Sequence, residues 1–330
     1  MNKKNVTNNQ DYCIAVDVGG TKITSALIDR KARLSEKNKV FTAKSGADDS
    51  VEQVIAIIKK LNETADKDGG KIQAVGIAIP GVVFQKASLV WAPNIPGWDQ
   101  LDLQKRLQDK IELPIIIDSD RSACVLGEQW IGAARKLKNV VFLTVGTGIG
   151  AGIISGGRLI RGSDDIAGAV GWFALNPMPR PEYRKMGCFE AEASGDAIGR
   201  KALSSLNTGE TSMMIEMVDR DLRQLTAVTV IEAAKKKDPI AVKIITSAVK
   251  YLAMGVANIV SILNPRMIVL GGGLFQSGDY LLDPIRKEFK NWAQPLAAER
   301  VVIELTKLGE DAALYGAGKL AWLKITKPNL

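Results

Sequence analysis

Three times in this chain an apolar, β-branched run stops at a cluster of glycines, and that recurrence limits the possible folds more than any other feature. Cys13-Ile14-Ala15-Val16 leads into Asp17-Val18-Gly19-Gly20-Thr21-Lys22. Val140-Val141-Phe142-Leu143 leads into Thr144-Val145-Gly146-Thr147-Gly148-Ile149-Gly150, and Met267-Ile268-Val269-Leu270 into Gly271-Gly272-Gly273. Each reads as a strand ending in a tight turn. Glycine turns let backbone N–H groups approach an anion closely. At the first, Thr21 and Lys22 add donors, and Asp17 can hold a Mg²⁺ water shell. The second leaves its turn as another apolar strand, which predicts a hairpin. No Lys-Ser or Lys-Thr follows a glycine loop, so a Walker-type site is absent. Two phosphate hairpins and a third glycine turn for a nucleoside predict a nucleotide clamped between two lobes.

The rest of the first half alternates strand and helix. Val16 to Ile28 reads as a hairpin, Val40 to Ala43 as a short strand, and Ser50 to Ala65 as a helix with Val51, Val54, Ile55, Ile58 and Leu61 on one face. Ala74 to Ile79 is a buried strand stopped by Pro80-Gly81. Leu101 to Asp109 is a helix, Ile115-Ile116-Ile117 a strand ending at Asp118, and Ser119 to Ile131 a helix. The second half repeats the plan, with the 140–154 hairpin, helices at 193–205, 226–237 and 239–263, and a strand at 268–270. The charged, Met-rich stretch 205–226 has no clear period, and the last helix runs from Asp311 to Leu323. This order predicts an α/β fold of two domains.

With 330 residues, 46% of them hydrophobic, the chain can bury two ordinary cores. No apolar run looks long enough to cross a bilayer, and Met1 to Gln10 lacks the apolar core of a signal peptide, so a cytoplasmic protein is expected, with no membrane partner. Cys13, Cys124 and Cys188 are scattered and odd in number, which argues against disulfides. The net charge of +8 is spread along the chain, at helix ends and exposed loops, so no nucleic-acid partner is expected; a polyanionic nucleotide still gains from it. The chain has no histidine, which excludes imidazole bases and imidazole metal ligands.

Taken with further segments, these motifs resemble the ROK family of sugar kinases and sugar-responsive repressors, within the actin-like ATPase superfamily. The resemblance runs over nearly the whole chain. It rests on Asp17 to Lys22, Gly76-Ile77-Ala78-Ile79-Pro80-Gly81, Ala92-Pro93-Asn94-Ile95-Pro96-Gly97-Trp98, the 144–152 hairpin, Gly187-Cys188-Phe189-Glu190-Ala191 with Ala193-Ser194-Gly195, and Leu308-Gly309-Glu310-Asp311-Ala312. It implies two actin-like (ribonuclease H-like) α/β domains flanking a nucleotide and sugar cleft. The smaller would span 1–120 plus 311–330 and the larger 121–310, with a hinge near Asp120. It implies MgATP as phosphoryl donor, a sugar or polyol acceptor and a homodimer.

The resemblance also assigns roles. Asp118 matches the family's catalytic base; alternatively it is a helix N-cap, a role for which Asp120 competes. Asp17 would help place the metal-bound phosphates, or merely tie down its turn. Gly19, Gly20, Thr21, Lys22, Gly146, Thr147 and Gly148 would hold phosphates. Gly271 and Gly272 would lie along the nucleoside, or be a packing turn. Gly81, Asn94 and the Pro93–Trp98 loop match the family's substrate side; Trp98 is equally a core residue. Glu190 matches a sugar-contacting Glu, or is a helix-start carboxylate.

The sequence departs from the family in one neighbourhood. ROK kinases usually carry Ala-Gly-Glu-Ile-Gly-His after the second hairpin; here the stretch is Ala167-Gly168-Ala169-Val170-Gly171-Trp172. A sugar-binding Glu has become Ala169, and a His that also ligates zinc has become Trp172. Of the family's three zinc cysteines only Cys188 remains. One thiol and no imidazole cannot close a tetrahedral site, so no zinc is expected. A sugar-contacting Asn before the catalytic Asp has become Ile117. Trp172 would offer a stacking face to a sugar ring, or fill the space of the zinc loop. The leading expectation is an ATP-dependent sugar or polyol kinase. A catalytically inactive sugar or nucleotide sensor is the alternative. A DNA-binding repressor is least expected, because only about a dozen residues precede the first strand, too few for a helix-turn-helix domain.

Overall fold

In the computed structural model, which describes residues 10–276 and 278–326, the three glycine-terminated runs are strands. The polar stretch 1–9 lies outside the described residues. The chain divides into two compact units. Unit 1 takes the described residues up to Arg135, the segment Arg161–Ala167 and the chain from Asp311; unit 2 takes Lys136–Ile160 and Gly168–Glu310.

Unit 1 is built from β1 (Asp11–Val18), β2 (Lys22–Asp29), β3 (Leu34–Phe41), α1 (Ala47–Lys67), β4 (Lys71–Ile79), β5 (Val82–Phe84), β6 (Leu89–Trp91), α2 (Leu103–Gln108), β7 (Ile115–Ser119) and α3 (Asp120–Trp130), closed by a C-terminal helix, Ala312–Thr326. Its five-stranded sheet has the order β3-β2-β1-β4-β7. β1 pairs antiparallel with β2, whereas β4 and β7 run parallel to it. β1 and β4 are apolar on both faces because helices cover both. The stripe foreseen on α1 is the buried one: Val51, Val54, Ile55, Ile58 and Leu61 meet the sheet. Each such side chain contributes about 2 kcal/mol relative to exposure.

The C-terminal helix lies close on β4 and α3, and glycine makes this possible. A Cβ on Gly76 would stand 1.9 Å from the carbonyl oxygen of Ala317; one on Gly127 would stand 2.4 Å from that of Ala312. This contact keeps α3 in unit 1, so the chain leaves the unit beyond Arg135 and not near Asp120, where the sequence suggested a boundary. The inclusion of Arg161–Ala167 has no counterpart in the sequence reading.

Unit 2 holds β8 (Val140–Val145), β9 (Ile149–Ser155), β10 (Arg158–Leu159), α4 (Tyr183–Met186), α5 (Cys188–Ala193), α6 (Gly195–Asn207), α7 (Met214–Met217), α8 (Ala227–Lys235), α9 (Pro239–Leu263), β11 (Met267–Gly271), α10 (Leu282–Phe289), α11 (Pro295–Arg300) and β12 (Val302–Leu305). Its sheet order, β10-β9-β8-β11-β12, repeats that of unit 1 strand for strand. α9 does reach the length and hydropathy of a membrane span, contrary to the sequence expectation. Twelve of its residues are buried in unit 2, the pattern of a core helix. Asp238 caps it, accepting from the N–H groups of Ile240 and Ala241.

Candidate functional site

In unit 1 the pairing register decides which groups meet. Asp17 pairs with Ala78, and Ala78 with Asp118, so the two carboxylates stand in one row across three parallel strands. At one strand spacing per step their Cα atoms are about 10 Å apart. They mark the carboxyl ends of β1 and β7, the edge where open α/β sheets bind ligands.

Asp118 is 3% exposed. Its Oδ1 accepts from the N–H of Ser119 at 2.8 Å. Its Oδ2 accepts from both Nε and Nη2 of Arg161, at 2.9 and 2.6 Å. Asp118 is not the helix cap: the Ser119 hydroxyl accepts from the N–H of Ser122. Asp120 is not the cap either; its Oδ1 accepts from the N–H of Arg121 at 2.7 Å. Burial raises the Asp120 carboxyl above its ordinary range. Asp17 is pushed up to about 7, first by desolvation and then by the carboxylates of Asp120 and Asp311.

The turn after Asp17 is closed by the Gly19 N–H donating to the Lys22 carbonyl at 2.8 Å, and is tied to β3's end by the Thr42 hydroxyl donating to the Gly19 carbonyl at 2.7 Å. Thr21 and Lys22 are exposed, and the Lys22 ammonium lies 5.9 Å from the ring of Phe41. Gly20 must be glycine, since a Cβ there would stand 2.8 Å from the carbonyl oxygen of Asn94. Two predicted site residues, 74 positions apart, are thereby neighbours. Gly81 holds φ at +125°, and a Cβ would collide with the Trp91 carbonyl oxygen at 2.1 Å. In the 92–98 loop Trp98 is a core residue, 1% exposed, with its indole N–H donating to Ser50 at 2.8 Å. It anchors a loop whose exposed tip is Asn94. Ile117 is buried in the same core.

Unit 2 supplies space where unit 1 supplies charge. A cavity of about 550 Å³ opens beside the β8–β9 turn. Gly146, Thr147, Gly195, Gly273 and Leu274 line it, together with Arg200, Arg223, Thr226 and Ile231. The Gly195 N–H donates to the Gly146 carbonyl at 2.7 Å, holding the start of α6 against the hairpin. Gly272 has φ +93°, and a Cβ would meet the Val145 carbonyl oxygen at 2.5 Å, whereas a Cβ on Gly273 would meet nothing. Gly271 packs on the ring of Phe142 and does not line the cavity. The contribution of α6, α8 and the 222–228 segment was not anticipated; the Ser194-Gly195-Asp196 helix start was its one local sign.

Glu190 reaches the same hairpin. Its Oε2 accepts from the N–H of Ile149 at 2.7 Å and fills the space beside Gly148. Burial raises this carboxyl, opposed by that bond. Trp172 sits in a 3₁₀ turn, Val170–Trp172, and is 57% exposed, so it fills no void. The residues around Cys188 do not suit zinc: the chain has no imidazole, and Cys13 and Cys124 belong to unit 1. Among the described residues no group of three or more thiol, imidazole or carboxylate ligands is placed to hold a metal ion.

The ROK family profile matches residues 13–324. The chain belongs to the ROK family. This ROK chain is 32% identical over 323 residues to a glucokinase of Halalkalibacterium halodurans, covering 96% of each. It is 28% identical over 316 residues to a putative xylose repressor of Caldicellulosiruptor sp., covering 94% of this chain and 78% of the repressor. A ROK family glucokinase of Streptomyces griseus, solved with glucose and AMPPNP, superposes with a TM-score of 0.78 at 30% identity, covering 94% of this chain and 99% of that one. The fold is the two-domain actin-like fold of ROK kinases.

Proposed function

We propose that this ROK protein transfers a phosphoryl group from ATP to a hydroxyl of a sugar or sugar-like polyol, with Asp118 as general base. The observation that carries the reading is the row that ends the unit 1 sheet: a buried carboxylate, Asp118, level with the carboxylate at the first glycine turn. Phosphoryl transfer asks mainly for positioning and charge stabilisation. Asp118 would accept the proton of the attacking hydroxyl as its oxygen bonds to phosphorus. Oδ1, which accepts from the Ser119 N–H, keeps lone-pair capacity for that hydroxyl, while Arg161 keeps Oδ2 fixed.

The cavity of unit 2 suits the nucleoside, and the turns at Gly19–Lys22 and Gly146–Gly148 suit its phosphates. Magnesium, arriving with the nucleotide, neutralises phosphate charge; the oxygen donors at Asp17 suit its water shell. The residues proposed to contact the acceptor are Gly81 and Asn94 in unit 1 and Glu190 and Trp172 in unit 2. Glucose is the first acceptor to test, because relatives are glucokinases, and N-acetylhexosamines, other aldoses, ketoses and inositols complete the panel. We place the protein in the cytoplasm as a homodimer without zinc; light scattering and metal analysis check these.

The test is ADP release with MgATP across that panel, with Asp118→Asn alongside. Acceptor-dependent turnover, lost in the variant, supports the reading. No turnover with MgATP still bound favours a sugar or nucleotide sensor, a reading to which the tight Arg161–Asp118 pair and the kinship to a putative repressor lend support.

A further inference from the structure

Between Asn176 and Gly187 the chain runs through Pro177, Pro179 and Pro181 and the single turn of α4, none of whose residues is buried. One carboxylate holds this loop. Glu192, on α5, is 3% exposed. Its Oε1 accepts from Arg180 Nη1 at 2.9 Å and from the Tyr183 hydroxyl; its Oε2 accepts from Lys201 Nζ at 2.6 Å. The same ammonium donates to the Glu192 carbonyl at 2.8 Å. Asn176 Nδ2 donates to the Tyr183 hydroxyl at 2.9 Å and to that of Tyr251 at 3.4 Å. One carboxylate and its neighbours thus join the loop, α5, α6 and α9. Burial raises the Glu192 carboxyl, but the bonds from Lys201 and Tyr183 outweigh it and hold the group below its ordinary range. A buried carboxylate with two cations and a phenol on it is a charge-assisted cross-link.

α5 is six residues long and has no side-chain cap; Phe189 and Ala193 pack in the unit 2 core, and its roll is fixed by that packing together with what its two carboxylates reach. Glu190 and Glu192 are two residues apart, about 200° around the helix. One therefore faces the β8–β9 turn while the other faces the loop. We infer that Glu192 is a positioning residue: its network cross-links loop 176–187 to the unit 2 helices and sets the roll of α5 that brings Glu190 to Ile149. The donors around it are oxygens and nitrogens, so the loop is closed by ions and hydrogen bonds where a thiolate–imidazole metal site cannot form. Only the expected effect on an acceptor rests on the kinase reading.

The test uses the full chain, Glu192→Gln, and the milder Arg180→Gln at a half-exposed partner. Three readouts are taken: trypsin cleavage at the exposed Arg184 and Lys185 by mass spectrometry, hydrogen exchange of residues 146–150, and the KM values for acceptor and ATP. In Glu192→Gln, cleavage and Ile149 exchange should rise about tenfold, and acceptor KM should rise about tenfold with ATP KM unchanged. Arg180→Gln should move each in the same direction by less. EDTA, with no nucleotide present, should change neither cleavage nor exchange in the wild type. Unchanged exchange at Ile149, or cleavage accelerated by EDTA, would overturn the proposal; raised exchange with acceptor KM intact would support the positioning and remove Glu190 from the acceptor residues. If the wild type phosphorylates nothing, the kinase reading fails, and the cleavage and exchange arms still decide this one.

Discussion

In unit 1 the row closing the parallel strands reads Asp17, Ala78, Asp118; in unit 2 the equivalent row begins Thr144, Gly271. The two sheets share one strand order and one pattern of parallel and antiparallel pairing. They differ in what stands at the strand ends. Unit 1 places ionisable groups there, two of them with raised carboxyls, and leaves little open space among its glycines. Unit 2 places glycine and threonine there and opens a cavity of about 550 Å³. On the proposed reading, a repeated scaffold divides between chemistry and binding, which agrees with function residing in sites and not in folds.

The sharpest way to break that division is at Asp118. Asp118→Asn keeps the shape and removes the proposed base, so kcat should fall roughly a thousandfold with little change in the KM for ATP. A comparable loss from a cavity residue of unit 2, with Asp118→Asn mild, would reverse the assignment. Arg161→Gln comes next. It frees Oδ2 of Asp118 from two bonds, and kcat/KM for the acceptor should fall about ten- to a hundredfold. Arg161→Lys should recover only part, since an ammonium lacks the guanidinium fork.

Unit 2 should respond in binding, and by less. A side chain at Gly273 would project into open space, with backbone geometry that strains no substituent. Gly273→Leu is expected to leave the thermal midpoint nearly unchanged and to raise the KM for ATP about tenfold by occupying the cavity. Gly272→Ala is the contrasting control, because there φ is +93° and the Cβ meets a carbonyl oxygen. It should cost stability, about 1–3 kcal/mol by denaturant unfolding.

How much of this could be read from sequence follows from where the information lies. The two hairpins and the acid-ended strand β7 were legible because β-branched runs, glycine turns and a terminal aspartate are local signals. Trp98 was not resolved, since the same residue suits a core or a pocket; its packing in the unit 1 core and its bond to Ser50 decide for the core. The cavity wall from α6, α8 and residues 222–228 was invisible because it is assembled from segments without period or motif. Arg161 on Asp118 and the Glu192 network are contacts between distant side chains, which no window of sequence displays. α9 shows the converse: composition alone fits a membrane span, and only its burial marks it as a core helix.

The smallest effect, and the most direct probe of the charge placed in unit 1, concerns Asp17. Its folded-state carboxyl titrates near 7, above the ordinary aspartate range of about 4. Between those values the unfolded chain ionises while the folded one stays protonated, so this group's contribution to stability is fully present below about pH 4 and is lost as pH rises to 7. Asp17→Asn removes that dependence. Without nucleotide, the variant and the wild type should melt together near pH 4. The variant should gain a few degrees by pH 7, and the gain should level off above it. The gain should shrink when MgATP is added, because the metal-bound phosphates favour the wild-type carboxylate and stabilise only the protein that binds them. A variant that melts lower than the wild type at pH 8 would show that Asp17 is chiefly a turn-tying residue. The strand-end acids of unit 1 would then have to be explained by folding instead of by chemistry.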